Sequence, residues 1–367
     1  MALPPLFRKI SFDDMPGWRE DDPAPAFAAF RRSAVRSLEK PYRTGTLGVE
    51  AQAFAAAFAE ARAVPELGSA PARDFFERHF VPHAVKPDGR DRGFVTGFYE
   101  PEAEASPGRT GRFRFPLLAR PSDLVDVDDA NRPAGFDPYL AFGRAAEEGI
   151  VEYHDRRAIE QGALAGKGLE IAWLADVVDA FFIHVQGAAR LVMTDGTRKR
   201  VTYAAKSGHR FTGPGGILAE LGEIPPADVT MQSIRRWFRD NPNRIDEILW
   251  RNRSYIFFRE APVDDDGLGP VAAAKVPLTP GRSIAVDRLL HTFATPFFIV
   301  APTLGAFGGG GFRRLMIAQD TGSAITGPAR GDLFAGSGAQ AGEIAGIVRH
   351  PADFIALLPR PMLAEGR

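Results

Sequence analysis

The spacing of apolar residues changes near Gly93, and this change limits the folds that the chain can adopt. Before it, Phe27, Phe30, Ala34 and Leu38 recur at intervals of three to four residues, which is the period of an amphipathic helix. The same spacing returns in two further groups, Phe54, Phe58 and Ala61 and then Phe75, Phe76, His79 and Phe80. We therefore predict helices in roughly the first hundred residues, with these side chains packed in the core.

After Gly93 the pattern is typical of short strands, beginning with the alternation between 94 and 99. The chain has 38 Gly and 30 Pro, about 19% against roughly 12% in average proteins, which favours many turns. We predict a hairpin that joins 188–193 to 199–204 through a Thr-Asp-Gly-Thr turn. Further strands are predicted at 282–286, 296–301, 315–318 and 332–334, with 305–311 as a hairpin tip.

Two helices are predicted within this β-rich part. One begins near Asp228 or Thr230, either of which has the side chain of an N-cap, and a second covers 244–249. The apolar run 181–185 is read as a strand, with His184 as a core histidine inside it. Together these elements indicate a mainly β fold with N-terminal helices.

Composition excludes several classes of protein. A length of 367 residues suggests two domains, and 45 basic against 46 acidic residues give no reason to expect nucleic acid. With no cysteine, the chain has no disulfide, thiolate nucleophile or lipidated cysteine. The N-terminus lacks the apolar stretch of a secretory signal, so the sequence as given reads as a soluble chain.

Most catalytic signatures are missing as well. The 7 histidines are scattered, and the pair His79 and His83 lacks a third ligand at a suitable spacing for a metal. The glycines at 308–311 are not followed by the Lys-Ser or Lys-Thr of a phosphate loop, and there is no Gly-x-Ser-x-Gly. We predict no metal and no cofactor, which leaves carboxylate chemistry.

Two aspartates are the candidates for that chemistry. Asp320 and Asp332 each follow a short apolar stretch, and a glycine-rich segment separates them. Aspartates beside glycine often only cap a turn, while carboxyl groups at loop edges would be accessible to a glycan. The residues alone leave both readings open.

A resemblance to a known family favours the catalytic reading. The segments 320–325, Asp-Thr-Gly-Ser-Ala-Ile, and 331–334, Gly-Asp-Leu-Phe, resemble the "three-Asp" domain of the membrane-bound lytic murein transglycosylase A family. Its third acidic residue is similar to Asp287 in 281–287. Blocks at 96–101, 182–191 and 231–235 extend the resemblance over nearly the whole chain in the same order.

The resemblance implies a fold and a reaction. It implies a double-psi β-barrel from 1–102 and 259–367, a mostly β glycan-binding domain inserted at 103–258, and a groove between them. The family cleaves the β-1,4 bond between N-acetylmuramic acid and N-acetylglucosamine without water. Asp332 is then the single acid and base, which needs a raised pKa, and Asp320 and Asp287 are supporting residues.

The same resemblance implies substrate-binding residues, partners and a location. The binding residues are Thr96, Tyr99, Gln186, Gly187, Arg190, Ser207 and Gly208. The implied partner is the glycan strand of peptidoglycan in the bacterial envelope, either in the periplasm or at the outer membrane. The chain departs from the family at Ser207 and Phe211, where Asn and Tyr are usual, and it lacks a glycine in 272–275.

Two other functions stay open. Expansin-like proteins also use a double-psi barrel with an acidic residue, and they bind polysaccharide without cleaving it. A true glycosidase would use Asp332 and Asp320 as an acid and base pair, with water as the nucleophile.

Overall fold

A computed structural model describes residues 3–89 and 91–360 of the chain. Contacts divide the chain into two compact units. One is formed by Met1–Tyr99 with Val263–Arg367, and we call it the barrel unit; the other, Glu100–Pro262, is the insert unit.

The N-terminal part of the barrel unit is helical, as predicted. Its helices are α1 (Ala24–Arg36), α2 (Ala55–Ala63, after a 3-10 turn at Ala51–Phe54) and α3 (Ser69–His79), and its strands are β1 (Phe7–Lys9), β2 (Phe80–Val85) and β3 (Gly93–Glu100). The fully buried ring of Phe30 has the rings of Phe58, Phe75, Phe76 and Phe80 within 5.9 Å.

Two details of the helical prediction are wrong. Leu38 lies beyond the end of α1 and is 67% exposed, so it is not part of the core. Phe80 is the first residue of a strand rather than the end of a helix, because its neighbours pair with the last strand of the chain, where Pro359 is opposite Phe80. Long-range pairing overrides the local helical spacing here.

The insert unit contains nine strands and five helices among its described residues. The strands are β4 (Glu102–Ser106), β5 (Phe115–Leu118), β6 (Leu124–Asp126), β7 (Phe142–Ala146), β8 (Gly149–Val151), β9 (Glu170–Leu174), β10 (Ala188–Met193), β11 (Arg198–Lys206) and β12 (Ile256–Glu260). The helices are α4 (Arg156–Ala158, continued by a π turn at Ile159–Ala163), α5 (Val177–Gln186), α6 (Pro214–Glu220), α7 (Met231–Asp240) and α8 (Ile245–Leu249).

These strands form a six-stranded sheet in the order β12-β11-β10-β4-β9-β5 and a three-stranded sheet, β6-β7-β8. The predicted hairpin is confirmed as β10 and β11, which pair antiparallel. The predicted helix start is confirmed at Thr230, whose hydroxyl accepts from the Ser233 amide in a capping box. The second predicted helix is α8, preceded by a 3-10 turn at Pro242–Arg244.

The predicted strand at 181–185 is wrong, since these residues belong to helix α5. Asp176 caps its start by accepting from the amides of Val178 and Asp179, and Gly187 ends it with a φ of 75°. Two sides of the helix are buried. Ala180 and Ile183 pack into the sheet core, while Phe181 and its neighbours pack against α6 to α8. A helix buried on two sides shows no amphipathic period, so its sequence resembles a buried strand.

The chain returns to the barrel unit after residue 262. This part contains β13 (Ser283–Val286), β14 (Pro296–Ala301), β15 (Phe312–Asp320), β16 (Arg330–Ser337), α9 (Gly338–Ile347) and β17 (Arg349–Pro359). The antiparallel pairing of β14 with β15 confirms 305–311 as a hairpin tip.

The strands of the barrel unit pair in the order β1-β2-β17-β14-β15-β13-β16-β3, and β17 also pairs with β3. That second pairing closes β17, β14, β15, β13, β16 and β3 into a ring, so no edge is left open within it. The mainly β fold with N-terminal helices and a barrel is therefore confirmed. The aromatic residues of α1 to α3 and the inner residues of β14 and β15 form its core.

Candidate active site

The site is built on three neighbouring strands of the barrel. Strand β13 lies between β15 and β16, and its residue Ala285 is opposite Asp320 on one side and Asp332 on the other. Residues opposite each other on adjacent strands point to the same face of a sheet. The two carboxyl groups therefore share a face, and their Cα atoms are two strand spacings apart, about 10 Å. The methyl group of Ala285 lies between them.

An irregularity in β15 brings Asp320 to this face. Ile284 is opposite Ala318, whereas the next residue, Ala285, is opposite Asp320, so Gln319 is an extra residue in the ladder. A one-residue slip reverses the face to which a side chain points. If β15 ran regularly through Gln319, Asp320 would be opposite Val286 and would share the face of Ile284, which is fully buried in the core. Bulges commonly turn a side chain toward an active site in this way.

Asp332 is held by a residue of β3. The Thr96 hydroxyl donates a hydrogen bond to Oδ1 of Asp332 at 2.6 Å, and it accepts one from the Arg330 guanidinium at 2.7 Å. Burial raises the pKa of the half-buried Asp332 carboxyl, and the Arg330 charge and the Thr96 hydrogen bond oppose that rise. Asp332 lies inside strand β16, so the expectation that it sits at a loop edge is wrong.

Asp320 is the last residue of β15, and its environment also favours the protonated form. Burial raises the pKa of Asp320 to about 6, and the negative charge of Asp332 contributes to the rise. The backbone amides of Thr321 and Ala273 and the charge of Lys275 oppose it; the Ala273 amide lies 3.1 Å from Oδ1. The negative charge of Asp332 thus links the protonation of Asp320 to the ionisation of its neighbour.

The residue Lys275 explains the missing glycine noted in 272–275. It has a φ of 62°, a left-handed conformation that costs a non-glycine residue about 1 kcal/mol. Its amide donates to the Ala272 carbonyl, which closes the turn beside Asp320.

Asp287, the third predicted acid, holds two loops together. Its Oδ1 accepts from the Leu289 amide and its Oδ2 from the Gly327 amide, both at 3.0 Å. The first contact shapes the turn after β13, and the second fixes the segment that leads into β16. These contacts account for Asp287 without a substrate, and its supporting role stays a prediction.

Tyr99, three residues after Thr96 on β3, is 7% exposed. Its ring packs over Gly342 of α9, where a Cβ atom would lie 2.9 Å from the ring. Thr96, Asp320 and Asp332 are thus the predicted residues that the barrel unit brings together, while Tyr99 is largely a packing residue.

In the insert unit, Gln186 and Gly187 form the C-terminal end of α5 rather than the end of a strand. The Gly187 carbonyl accepts from the Tyr203 amide at 2.7 Å. Tyr203 is 41% exposed, and ligand sites commonly combine aromatic side chains with a few placed polar groups. Tyr203 was not predicted from the sequence. The two residues before it, Val201 and Thr202, are both buried, so the strand does not alternate regularly and the exposure of Tyr203 is seen only in the structure.

Arg190 belongs to a charged cluster. Its Nε donates to Glu100 at 3.0 Å, and Arg200 donates to the same carboxylate at 2.8 and 3.1 Å. Glu100 is fully buried, so each arginine compensates a charge that would otherwise be very costly to bury. The sequence predicted Arg190 but not Glu100 or Arg200.

Ser207 and Gly208 are explained by packing. Ser207 is fully buried and its hydroxyl accepts from the Tyr255 amide at 3.1 Å. Gly208 has a φ of 93°, and a Cβ atom there would lie 2.8 Å from the Phe142 carbonyl oxygen. Their predicted contacts with substrate stay untested. His184 is buried, and its Nδ1 accepts a hydrogen bond from the Arg156 guanidinium at 3.2 Å, in agreement with a core histidine.

Residues 3–89 and 91–360 contain no group of three or more His, Asp or Glu side chains that could hold a metal ion. None of the helices in these ranges combines the length and the apolarity that crossing a membrane requires.

Known proteins similar to this chain share both of its units. Residues 94–259 match the family described as the MltA specific insert domain, and residues 282–358 match the 3D domain. A membrane-bound lytic murein transglycosylase from Agrobacterium tumefaciens is 52% identical with a TM-score of 0.92, over 98% of this chain and 99% of that one. MltA from Neisseria gonorrhoeae is 31% identical with a TM-score of 0.75, over 96% and 91%.

A curated relative gives the same picture over a shorter region. Membrane-bound lytic murein transglycosylase A of Escherichia coli K12 is 31% identical over 261 residues, which are 70% of this chain and 62% of that protein. The matched region thus spans less than two thirds of the curated relative. Because the Agrobacterium tumefaciens structure matches along almost its full length, the chain belongs to the membrane-bound lytic murein transglycosylase A family.

Proposed function

We propose that this chain is a peptidoglycan lytic transglycosylase with Asp332 as its acid and base. It would cleave the β-1,4 bond between N-acetylmuramic acid and N-acetylglucosamine and leave a 1,6-anhydro end. One observation carries the proposal: two half-buried carboxyl groups share one face of the barrel in a family whose members are named for this activity. The envelope location and the glycan partner follow from the same family membership.

The first step needs a protonated carboxyl group. Burial raises the pKa of Asp332, which keeps a larger fraction of it protonated than in an exposed aspartate. Asp332 donates this proton to the bridging oxygen, and the bond from that oxygen to C1 of the muramoyl residue breaks. The Thr96 hydroxyl, 2.6 Å away, stabilises the carboxylate that forms.

The second step returns the proton. The Asp332 carboxylate takes the proton of the C6 hydroxyl as that oxygen attacks C1, which closes the anhydro ring and restores the acid. The reaction therefore needs neither water nor a cofactor. Asp320 keeps a fixed place on the same face, and the charge of Asp332 contributes to its raised pKa.

Glycan binding falls to the insert unit. The exposed Tyr203 lies beside Gly187, whose carbonyl accepts from the Tyr203 amide, and an aromatic side chain with polar neighbours suits a sugar ring. Gln186, at the end of α5, and Arg190, which keeps 22% of its side chain exposed while it neutralises Glu100, are the polar residues proposed to contact the glycan.

Mass spectrometry of products released from purified murein sacculi tests the proposal. The parent protein should release anhydro-muropeptides, and Asp332→Ala should release none although its circular dichroism is unchanged. Equal release by both proteins would assign the acid to another residue. No release by either would favour the expansin-like alternative, in which the chain binds polysaccharide without cleaving it.

A hydrolytic glycosidase is the second candidate, because Asp320 supplies another carboxyl group with a pKa raised to about 6. Inverting glycosidases hold their carboxyl groups roughly 6.5 to 9.5 Å apart to admit a water molecule. Products with reducing ends in place of anhydro ends would select this function.

A further inference from the structure

The residue at the bulge of β15 is an uncharged polar side chain buried in the core. Gln319 is fully buried, and three hydrogen bonds satisfy its amide. Its Nε2 donates to the Ala29 carbonyl and to the Ser33 hydroxyl, both at 2.8 Å, and its Oε1 accepts from the Ser283 hydroxyl at 2.6 Å. Two of these partners lie on α1 and the third is the first residue of β13.

The backbone of the bulge is held from its other side. The Ala274 amide donates to the Gln319 carbonyl at 3.0 Å, while the neighbouring Ala273 amide donates to Oδ1 of Asp320. Two consecutive amides of one turn thus bind two consecutive residues of the bulge. The extra residue is thus held by its side chain, which binds α1 and β13, and by its backbone carbonyl, which binds the turn that contains Lys275.

An apolar side chain at this position would take a hydrogen-bond partner away from the buried hydroxyls of Ser33 and Ser283, at a cost in stability. The glutamine instead anchors the extra residue to α1 and β13, and only with that extra residue does Asp320 lie opposite Ala285. Loss of the bulge would move Asp320 by one register position to the opposite face.

We infer that Gln319 is a positioning residue of this active site, which acts by holding the β15 bulge so that the Asp320 carboxyl faces Asp332. The inference rests on the proposed function and extends it to a residue that does not contact substrate.

The charged groups around the pair come from two elements, the turn 272–276 and strand β16. Asp320 is near Asp332 on β16 and Lys275 on the turn 272–276, and Asp332 is near Arg330. Gln319 itself does not titrate. Burial is the largest cause of both raised pKa values, so a change that a Gln319 substitution causes in the pH dependence of the rate would report a changed burial of these carboxyl groups or a changed distance between them.

A double-mutant cycle tests the inference. The rate of anhydro-muropeptide release at saturating sacculi is measured against pH for the parent, Gln319→Leu, Asp320→Asn and the double variant. We expect Gln319→Leu to lower the rate about 10-fold, because small displacements of catalytic groups have effects of this order. We also expect it to move the pH profile, and to have no further effect in the Asp320→Asn background.

Two further variants separate positioning from general loss of structure. Ser33→Ala removes one partner of Gln319 without changing β15. It should cause a smaller loss of rate in the same direction, and it replaces Gln319→Leu in the test if that variant does not fold. Trp18→Phe removes a partly buried hydrogen bond to Glu77 of α3, which is not a partner of Gln319, and it should leave the pH profile unchanged.

The outcomes are distinct. Two results would overturn the inference: Gln319→Leu lowers the rate by the same factor with and without Asp320→Asn, or it leaves the pH profile of the rate unchanged. An Asp320→Asn variant as active as the parent would also overturn it, yet an inactive Asp332→Asn variant would then leave the proposed function intact.

Discussion

The hydrogen bond from Thr96 to Asp332 provides a quantitative test of how the acid works. Thr96→Val replaces the hydroxyl by a methyl group of similar size and removes the 2.6 Å contact. A hydrogen bond to a charged group contributes about 1.5 to 3 kcal/mol, and Asp332 is ionised only after it has donated its proton. The full contribution would correspond to roughly a 10- to 150-fold slower reaction.

The expected loss lies nearer the lower limit, because the carboxyl group carries only part of its negative charge in the transition state. We therefore expect kcat to fall about 10- to 30-fold. The pH dependence should change as well. Thr96 stabilises the ionised form, so its loss raises the pKa of Asp332 further, and the fall in activity on the alkaline side should move to higher pH.

Initial rates of anhydro-muropeptide release between pH 4 and pH 8 measure both effects. Thr96→Ser keeps the hydroxyl and serves as the matched control, with a rate close to that of the parent. A Thr96→Val variant with an unchanged rate and an unchanged pH profile would refute the assignment of Asp332 as the acid that Thr96 stabilises.

Three other substitutions test the structure around the site. Between pH 4 and pH 6 the parent should lose about 2 kcal/mol of unfolding free energy that Asp320→Asn does not lose, because burial raises the pKa of Asp320 from 3.8 to about 6 in the folded protein; melting temperatures against pH measure this, and parallel curves would contradict it. Lys275→Gly should change the free energy of unfolding by less than about 1 kcal/mol, since relief of the left-handed backbone offsets a more flexible unfolded chain. Gly208→Ala should lower that free energy by about 2 kcal/mol or more, through its φ of 93° and the Phe142 carbonyl; urea denaturation measures both.

Features that depend on local sequence were the ones that could be predicted. The β10–β11 hairpin, the β14–β15 hairpin tip and the Thr230 cap each depend on a few neighbouring residues. Helix α5 was missed because both of its sides are buried, and Phe80 was misassigned because its pairing with β17 comes from the far end of the chain.

The candidate site was also predicted only in part, because its residues were identified but the contacts between them were not. The resemblance picked out Asp320, Asp332 and Thr96 as residues, but the contact between Thr96 and Asp332 spans more than two hundred positions of sequence. The shared face of the two carboxyl groups depends on the extra residue Gln319, and a single-residue bulge leaves no trace in an apolar run. The roles assigned to the insert unit and its binding residues stay predictions.

Digestion of sacculi in water enriched in ¹⁸O tests the central claim most directly, because it shows whether an oxygen atom from water is added to C1 of the muramoyl residue. We predict that the parent releases anhydro ends that contain no ¹⁸O and that Asp332→Asn, with unchanged melting temperature, releases no product. Reducing ends labelled with ¹⁸O, or full activity of the Asp332→Asn variant, would contradict the account.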